Sequence, residues 1–211
     1  MTKGKQLFRL ILNLDLFHIA PITHSIPTYK ETGKMKTNIL VISTSLNGES
    51  KSRIMADESF KLMEKSTNCQ WLDLKEYDLP FCDGDSAYGH QDLPRVKSMV
   101  EKADGIIMAI PIYNYASGAM AKNFIELTGR AWTEKTVGFL CAAGGRSSYM
   151  SVMGLANSLM LDFRCMIVPS FVYADRDAFK NAKIVDESVK ERIEELNKQI
   201  IRVATALKKV A

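Results

Sequence analysis

Five short apolar runs, each followed by a stretch with helical spacing, succeed one another between Asn38 and Lys209. Ile39-Leu40-Val41-Ile42 is a β-branched run that reads as a buried strand, and Ile54, Met55, Phe60, Leu62 and Met63 then recur at roughly helical intervals. Gln70 to Leu74 gives a second strand. A polar, Gly-containing loop over 83–93 leads to a helix beginning near Pro94, where a missing N–H costs nothing, and reaching Lys102. Gly105 to Ile110 is apolar throughout and therefore central. A helix over Ser117–Arg130, a strand over Thr136–Ala142, a helix over Ser147–Asp162, a strand over Cys165–Val168 and a long amphipathic helix from Asp186 complete the series. This alternation predicts an α/β fold with a five-stranded parallel sheet and helices on both faces. Open sheets of this kind bind ligands beyond the carboxyl ends of their strands. The loops after strands one, three and four are therefore expected to carry the chemistry.

At 211 residues the chain is expected to be one domain, 36–211, with an N-terminal extension over 1–35 that is flexible or loosely docked; Met35 looks like the natural beginning of the domain. Lys3, Lys5 and Arg9 precede Leu10-Ile11-Leu12, but Asn13 and Asp15 interrupt that run, which is far short of the roughly 20 apolar residues a membrane span needs. Hydrophobic residues at 46% and charged residues at 25% are globular averages and exclude a disordered or collagen-like chain. The net charge of +4 is spread along the sequence, whereas a nucleic-acid binder concentrates it in a patch. The four cysteines form no C-x-x-C pair and only His18, His24 and His90 could join them on a metal, which argues against zinc and against a disulfide framework. A reducing, cytoplasmic setting is expected, with Cys141 and Cys165 as small core residues.

The loop after strand one, Ser43 to Arg53, is rich in hydroxyls and runs straight into a helix. A helix N-terminus presents unpaired N–H groups and a positive dipole end that suit a phosphate. Ser45, Ser50 and Ser52 can add O–H donors and Asn47 an N–H donor. A plain N-cap by Ser50 or Ser52 explains the same residues, and the loop alone leaves both readings open. The glycines that a P-loop ending in Lys51-Ser52 requires are replaced by Ser45 and Ser50, and no G-x-G-x-x-G is present. After strand three, Pro111-Ile112-Tyr113-Asn114-Tyr115 suggests a tight turn able to hold a flat, partly apolar ring with polar edges; an ordinary turn with Tyr at the core edge is the alternative. An acceptor Asp, which a phosphate-receiver domain needs at this point, is missing. After strand four, Gly144-Gly145 permits either positive φ or close approach to a ligand, or simply a turn before a Ser-capped helix.

At these three loops the chain resembles the NADPH-dependent FMN reductase family of flavodoxin-like proteins, which includes azo, quinone and chromate reductases. The matching pieces are Ser45 to Ser52, Pro111-Ile112-Tyr113-Asn114 leading to Lys122-Asn123-Phe124-Ile125-Glu126, Gly144-Gly145, and Leu79-Pro80-Phe81 with the acidic loop after it. The resemblance runs from about Asn38 to Val172. It implies the flavodoxin-like strand order 2-1-3-4-5, an FMN phosphate held by Ser45, Asn47, Ser50 and Ser52, a ring lined by Pro111, Ile112, Tyr113 and Asn114, and a third side closed by Gly144 and Gly145. Family members often carry Arg where Asn47 stands, a bidentate phosphate clamp this chain lacks, and Glu where Ile112 stands.

The activity so implied is passage of hydride from NADPH or NADH to FMN and then to a small acceptor such as a quinone, azo compound, free flavin or metal oxyanion. No catalytic side chain is nominated, because the flavin carries the chemistry. Arg146 is a candidate contact for the NADPH phosphate or a solvated surface residue. The alternative activity is that of a flavodoxin-like electron carrier or non-catalytic flavin-binding module. The last helix presents Ile193, Leu196, Ile200, Val203 and Leu207 on one stripe that covers the sheet. A homodimer or homotetramer is the assembly implied.

Overall fold

The β-branched run from Ile39 pairs on both sides, which makes β1 (Asn38–Ser43) the pivot of the sheet. In the computed structural model, which describes residues 37–208, β1 lies parallel to β2 (Asn68–Asp73) on one side and to β3 (Gly105–Tyr113) on the other. β3 in turn pairs parallel with β5 (Thr136–Ala142), and the fifth position is shared by β6 (Met166–Ile167) and β7 (Val172–Ala174). The order along the sheet is β2-β1-β3-β5-β6, which matches the expected 2-1-3-4-5 when the shared position is counted once and the short hairpin strand β4 (Ala116–Ser117) beside β3 is left out. The described residues belong to a unit spanning Met35–Ala211. The extension expected over 1–35, with His18 and His24, lies outside the described residues.

Alternate residues of the strands face opposite layers. Leu40, Ile42, Met108, Ile110 and Phe139 join a core completed by α2 (Leu93–Lys102), α3 (Ala119–Thr128) and α4 (Met153–Phe163). Ile39, Val41, Ile107 and Leu140 join a second core under α1 (Lys51–Met63) and α5 (Glu187–Lys208). The stripe read in the last helix does cover the sheet through Ile193, Leu196 and Ile200. The helix approaches so closely that a Cβ on Gly138 would stand 2.9 Å from both Leu196 and Ile200. Cys141 and Cys165 are buried core residues, as expected.

Three local departures have identifiable causes. The fifth strand, expected as Cys165–Val168, is split: Val168 still donates to Val137, but Pro169 has no N–H to continue the ladder, and pairing resumes only at Val172. The turn expected from Pro111 onward is shorter than read. Pro111, Ile112 and Tyr113 remain in β3, and a hairpin to β4 (Ala116–Ser117) turns on Asn114 and Tyr115 alone. Helix α4 begins at Met153 instead of Ser147, because 147–152 forms successive turns. A further hairpin, β8 (Phe179–Lys180) with β9 (Lys183–Ile184), precedes α5.

Candidate functional site

The carboxyl ends of β1, β3 and β5 are neighbours in the sheet, so the loops leaving them share one rim. They enclose a cavity of about 750 Å³, within the size range of ligand sites. Eight of the ten residues picked out from sequence line it: Asn47, Ser50, Ser52, Pro111, Ile112, Tyr113, Asn114 and Gly144. Ser45 and Gly145 do not reach its wall. Ser45 is buried behind the loop, where its Oγ accepts the Asn47 N–H at 3.3 Å. Glu49, Lys51, Tyr115, Ala142, Ala143 and Ser148 also line the cavity and were not among the ten. Each sits within two residues of a chosen position or, for Ser148, in the run that follows Gly144-Gly145, so proximity was their only signal.

At the first wall both readings of the serines are realised together. Ser50 is the N-cap of α1, its Oγ accepting the Arg53 N–H at 3.2 Å, and it also shares a hydrogen bond of 2.9 Å with the Ser52 hydroxyl. The cap consumes the third N–H of the helix, while no acceptor among the described residues takes the N–H of Lys51 or Ser52. Asn47 Oδ1 accepts the Glu49 N–H at 3.0 Å, which leaves its amide N–H groups free to donate. Arg53 does not point to the loop. Its Nε meets Asp73 Oδ2 at 2.5 Å while its guanidinium lies 5.6 Å from the Trp71 ring, and the bond to Asp73 raises its pKa. This ion pair ties the start of α1 to the end of β2. The first wall is thus an anchored helix terminus with free N–H donors, hydroxyls and a lysine, a suitable seat for a phosphate.

The second wall is the β3–β4 hairpin. Asn114 (φ 48°) and Tyr115 (φ 61°) both adopt left-handed backbone, as a two-residue hairpin turn requires. That conformation is unfavourable for a bulky residue such as Tyr115. It is held by Gly118, which donates to Pro111 O at 2.8 Å and whose absent Cβ would lie 3.1 Å from the Pro111 ring. The result leaves Tyr113 56% and Tyr115 69% exposed at the cavity mouth, with Ile112 turned into the core.

The third wall is the loop over 143–148. Gly144 and Gly145 have neither positive φ nor a close neighbour; a Cβ on either would meet no atom within 4 Å. Their missing side chains leave open space, at the cavity wall in the case of Gly144. Arg146 is 84% exposed and paired with Asp175 at 2.7 Å, which raises the guanidinium pKa and lowers that of the carboxyl. It lies outside the cavity wall. Behind the site, the Asn123 carboxamide accepts the Cys82 N–H at 2.8 Å and donates to Pro80 O at 2.9 Å, which fixes the Leu79-Pro80-Phe81 segment against α3.

A family model described as NADPH-dependent FMN reductase matches residues 37–179, which include all three walls. An NAD(P)H-dependent FAD/FMN reductase of Geobacillus thermodenitrificans is 31% identical over 143 residues, 66% of this chain and 77% of that protein. An FMN reductase (NADPH) of Pseudomonas aeruginosa is 29% identical over 103 residues, 48% of this chain and 55% of that protein. Among solved structures, the flavoenzyme NAD(P)H:(acceptor) oxidoreductase FerB of Paracoccus denitrificans shares the fold, with a TM-score of 0.67 at 19% identity over 81% of this chain and 98% of that one. A sheet with this order, a rim cavity walled by these three loops, and a family match running through all of them lead to one conclusion: the chain belongs to the NADPH-dependent FMN reductase family.

Proposed function

We propose that the rim cavity holds FMN and that the protein is an NAD(P)H-dependent reductase of a small acceptor. The observation that carries this reading is the convergence of three separate loops on one cavity at the sheet's carboxyl edge. The residues present suit the group. The free N–H groups of Lys51 and Ser52, with Asn47, Ser50, Ser52 and the Lys51 ammonium, are donors for a monoester phosphate. Pro111, Ile112, Tyr113 and Asn114 offer an apolar wall with polar edges for a flat ring, and the open space at Gly144 gives that ring room. Ser45 supports the phosphate loop from behind, and Gly145 shapes the third wall.

When bound, FMN supplies hydride acceptance from a nicotinamide and two-electron delivery to an acceptor, with negative charge building on the pyrimidine edge of its ring. The chain's own part is placement. The first wall fixes the phosphate, the hairpin and the glycine loop set the ring between them, and the exposed Tyr113 and Tyr115 frame the face a second planar molecule would approach. No side chain is assigned a proton-transfer role. The acceptor class is a quinone, azo compound, free flavin or metal oxyanion. Residues 36–211 form the functional unit. The half-exposed Tyr113, Tyr149, Met150 and Leu161 favour a homodimer or homotetramer. Four free cysteines suit a cytoplasmic setting, and no helix among the described residues is long and apolar enough to cross a membrane.

The test is an absorbance spectrum of the purified protein and of its filtrate after denaturation, followed by anaerobic mixing with NADPH and menadione. Flavin released as FMN, with bleaching by NADPH and recovery on adding menadione, is the expected result. A bound flavin that NADPH leaves yellow for hours would instead make the protein a carrier or a flavin-binding module.

A further inference from the structure

A second cavity, of about 700 Å³, adjoins the first wall and shares Glu49, Ser50 and Lys51 with the rim cavity. Its far side is the β8–β9 hairpin, which contributes Phe179, Lys180, Asn181 and Ala182. Of that hairpin only Phe179 falls within the residues the family model matches. The turn residues Asn181 (φ 49°) and Ala182 (φ 56°) are left-handed, as a two-residue hairpin turn requires, and they set Lys180 directly opposite Lys183.

Four lysines gather here. Lys180 lines the cavity, and Lys183, its cross-strand partner, stands on the same face of the hairpin. Lys51 Nζ lies 5.9 Å from the centre of the Phe179 ring. Lys75 Nζ lies 2.9 Å from where a Cβ on Gly48 would stand, and Gly48 lines the cavity. None of the four pairs with a carboxylate among the described residues. The other charges of the wall are already matched, Arg53 by Asp73 and Asp57 by Lys61, which leaves Glu49 as its one unpaired carboxylate among the described residues. Like charges directly opposite each other destabilise a hairpin, so a bound anion relieves a repulsion that Lys180 and Lys183 otherwise carry.

We propose that this cavity is a subsite for the phosphorylated adenosine end of a dinucleotide, either the reductant NAD(P)H or a flavin carried as FAD. The proposal takes from the FMN reading above only the place of the FMN phosphate, at the wall the two cavities share. Lysine ammonium groups act on phosphate as point charges and need no fixed geometry, which suits an open site. Ile54 and Phe179 give an apolar surface for a purine, and the Glu49 carboxylate is an acceptor for ribose hydroxyls. A simple anion would use the lysines and leave that surface bare.

The experiment titrates the full-length protein, saturated with FMN, with ADP and with inorganic pyrophosphate by calorimetry at low salt. It is repeated on the double variant Lys180→Glu, Lys183→Glu and on Lys97→Glu, an exposed lysine of α2 on the other face of the sheet. ADP is expected to bind more tightly than pyrophosphate, with its dissociation constant raised about five- to tenfold in the double variant and unmoved in Lys97→Glu. Lys180→Gln with Lys183→Gln carries the test if the charge reversal does not fold. The source is then read from two further quantities. A KM for NADPH raised with kcat kept identifies the reductant, and a fall in FAD affinity relative to FMN identifies the flavin. Pyrophosphate binding as tightly as ADP, equal losses in the double variant and Lys97→Glu, or a double variant in which neither further quantity moves overturns the proposal and leaves the FMN reading standing. A protein that binds ADP in this way but takes no FMN overturns the FMN reading and leaves the subsite.

Discussion

Ser59 and Asn197 form a reciprocal pair between the two helices on one face of the sheet: the Ser59 hydroxyl donates to Asn197 Oδ1 at 2.8 Å, and Asn197 Nδ2 donates to the Ser59 carbonyl at 3.2 Å. Both residues are buried, at 0% and 4% exposure, in an otherwise apolar layer. Ser59→Ala leaves Asn197 Oδ1 without its donor in a place water does not reach. A loss of about 1–3 kcal/mol follows. Urea unfolding reads it as a lower midpoint with an unchanged slope.

Asn123 does comparable work on the opposite face, where it satisfies Cys82 N–H and Pro80 O together. Asn123→Ala frees the 80–82 segment from α3 while the hydrophobic core around Phe124 stays packed. The expected signature is local: proteolytic cleavage within 80–90 becomes faster, and stability falls by about 1–2 kcal/mol. Equal cleavage rates for variant and wild type would show that the bridge does not hold the segment.

Asn47 stands exposed at the first wall, the proposed phosphate seat, at a position where the resemblance read from the sequence would lead one to expect Arg. Asn47→Arg adds a charged, bidentate donor to the same loop. FMN binding should tighten by about three- to tenfold at low salt, with the gain shrinking as salt is added because the position is open to solvent. Fluorescence quenching of FMN at two ionic strengths measures both effects. An unchanged dissociation constant at low salt would place the phosphate elsewhere.

The cysteines give a pH-dependent prediction. Burial pushes the Cys141 thiol up to about 12, Cys165 up to about 11 and Cys69 up to about 12. The thiolate is the reactive form, so the folded protein should resist iodoacetamide at these three positions near pH 8. All four should react in denaturant. The same shifts act on stability. An unfolded thiol ionises near pH 8.5, so the stability these cysteines contribute is complete below that pH and is lost as pH climbs toward 11–12. Alkaline unfolding that sets in with no slope between pH 8.5 and 11 would contradict this.

The alternation of strand and helix was legible because burial on two faces forces apolar runs such as Gly105 to Ile110, and helix packing forces the stripe through Ile193, Leu196 and Ile200. Those patterns are local consequences of burial and survive in a linear reading. The three loops were legible for a related reason: hydroxyls before a helix, a Pro-Ile-Tyr-Asn segment and a Gly-Gly pair each stand directly at the end of an apolar strand run. The split of the fifth strand was also written in the chain, at Pro169, but only the spacing of β5 shows that pairing resumes at Val172.

The amino-acid sequence by itself determined the layers, the sheet and the segments that form the rim, since each follows from hydrophobic period and turn chemistry within a few neighbouring residues. Tertiary structure decided which side chains face the cavity: Ser45 went behind its loop and Arg53 across to Asp73. It also brought Tyr173 and Arg176, 28 and 32 residues beyond the glycines whose carbonyls accept from them, against the loop of the third wall. Hydrogen bonds between strands leave no periodic mark on a sequence, because their partners are chosen by distance in space and not by separation along the chain.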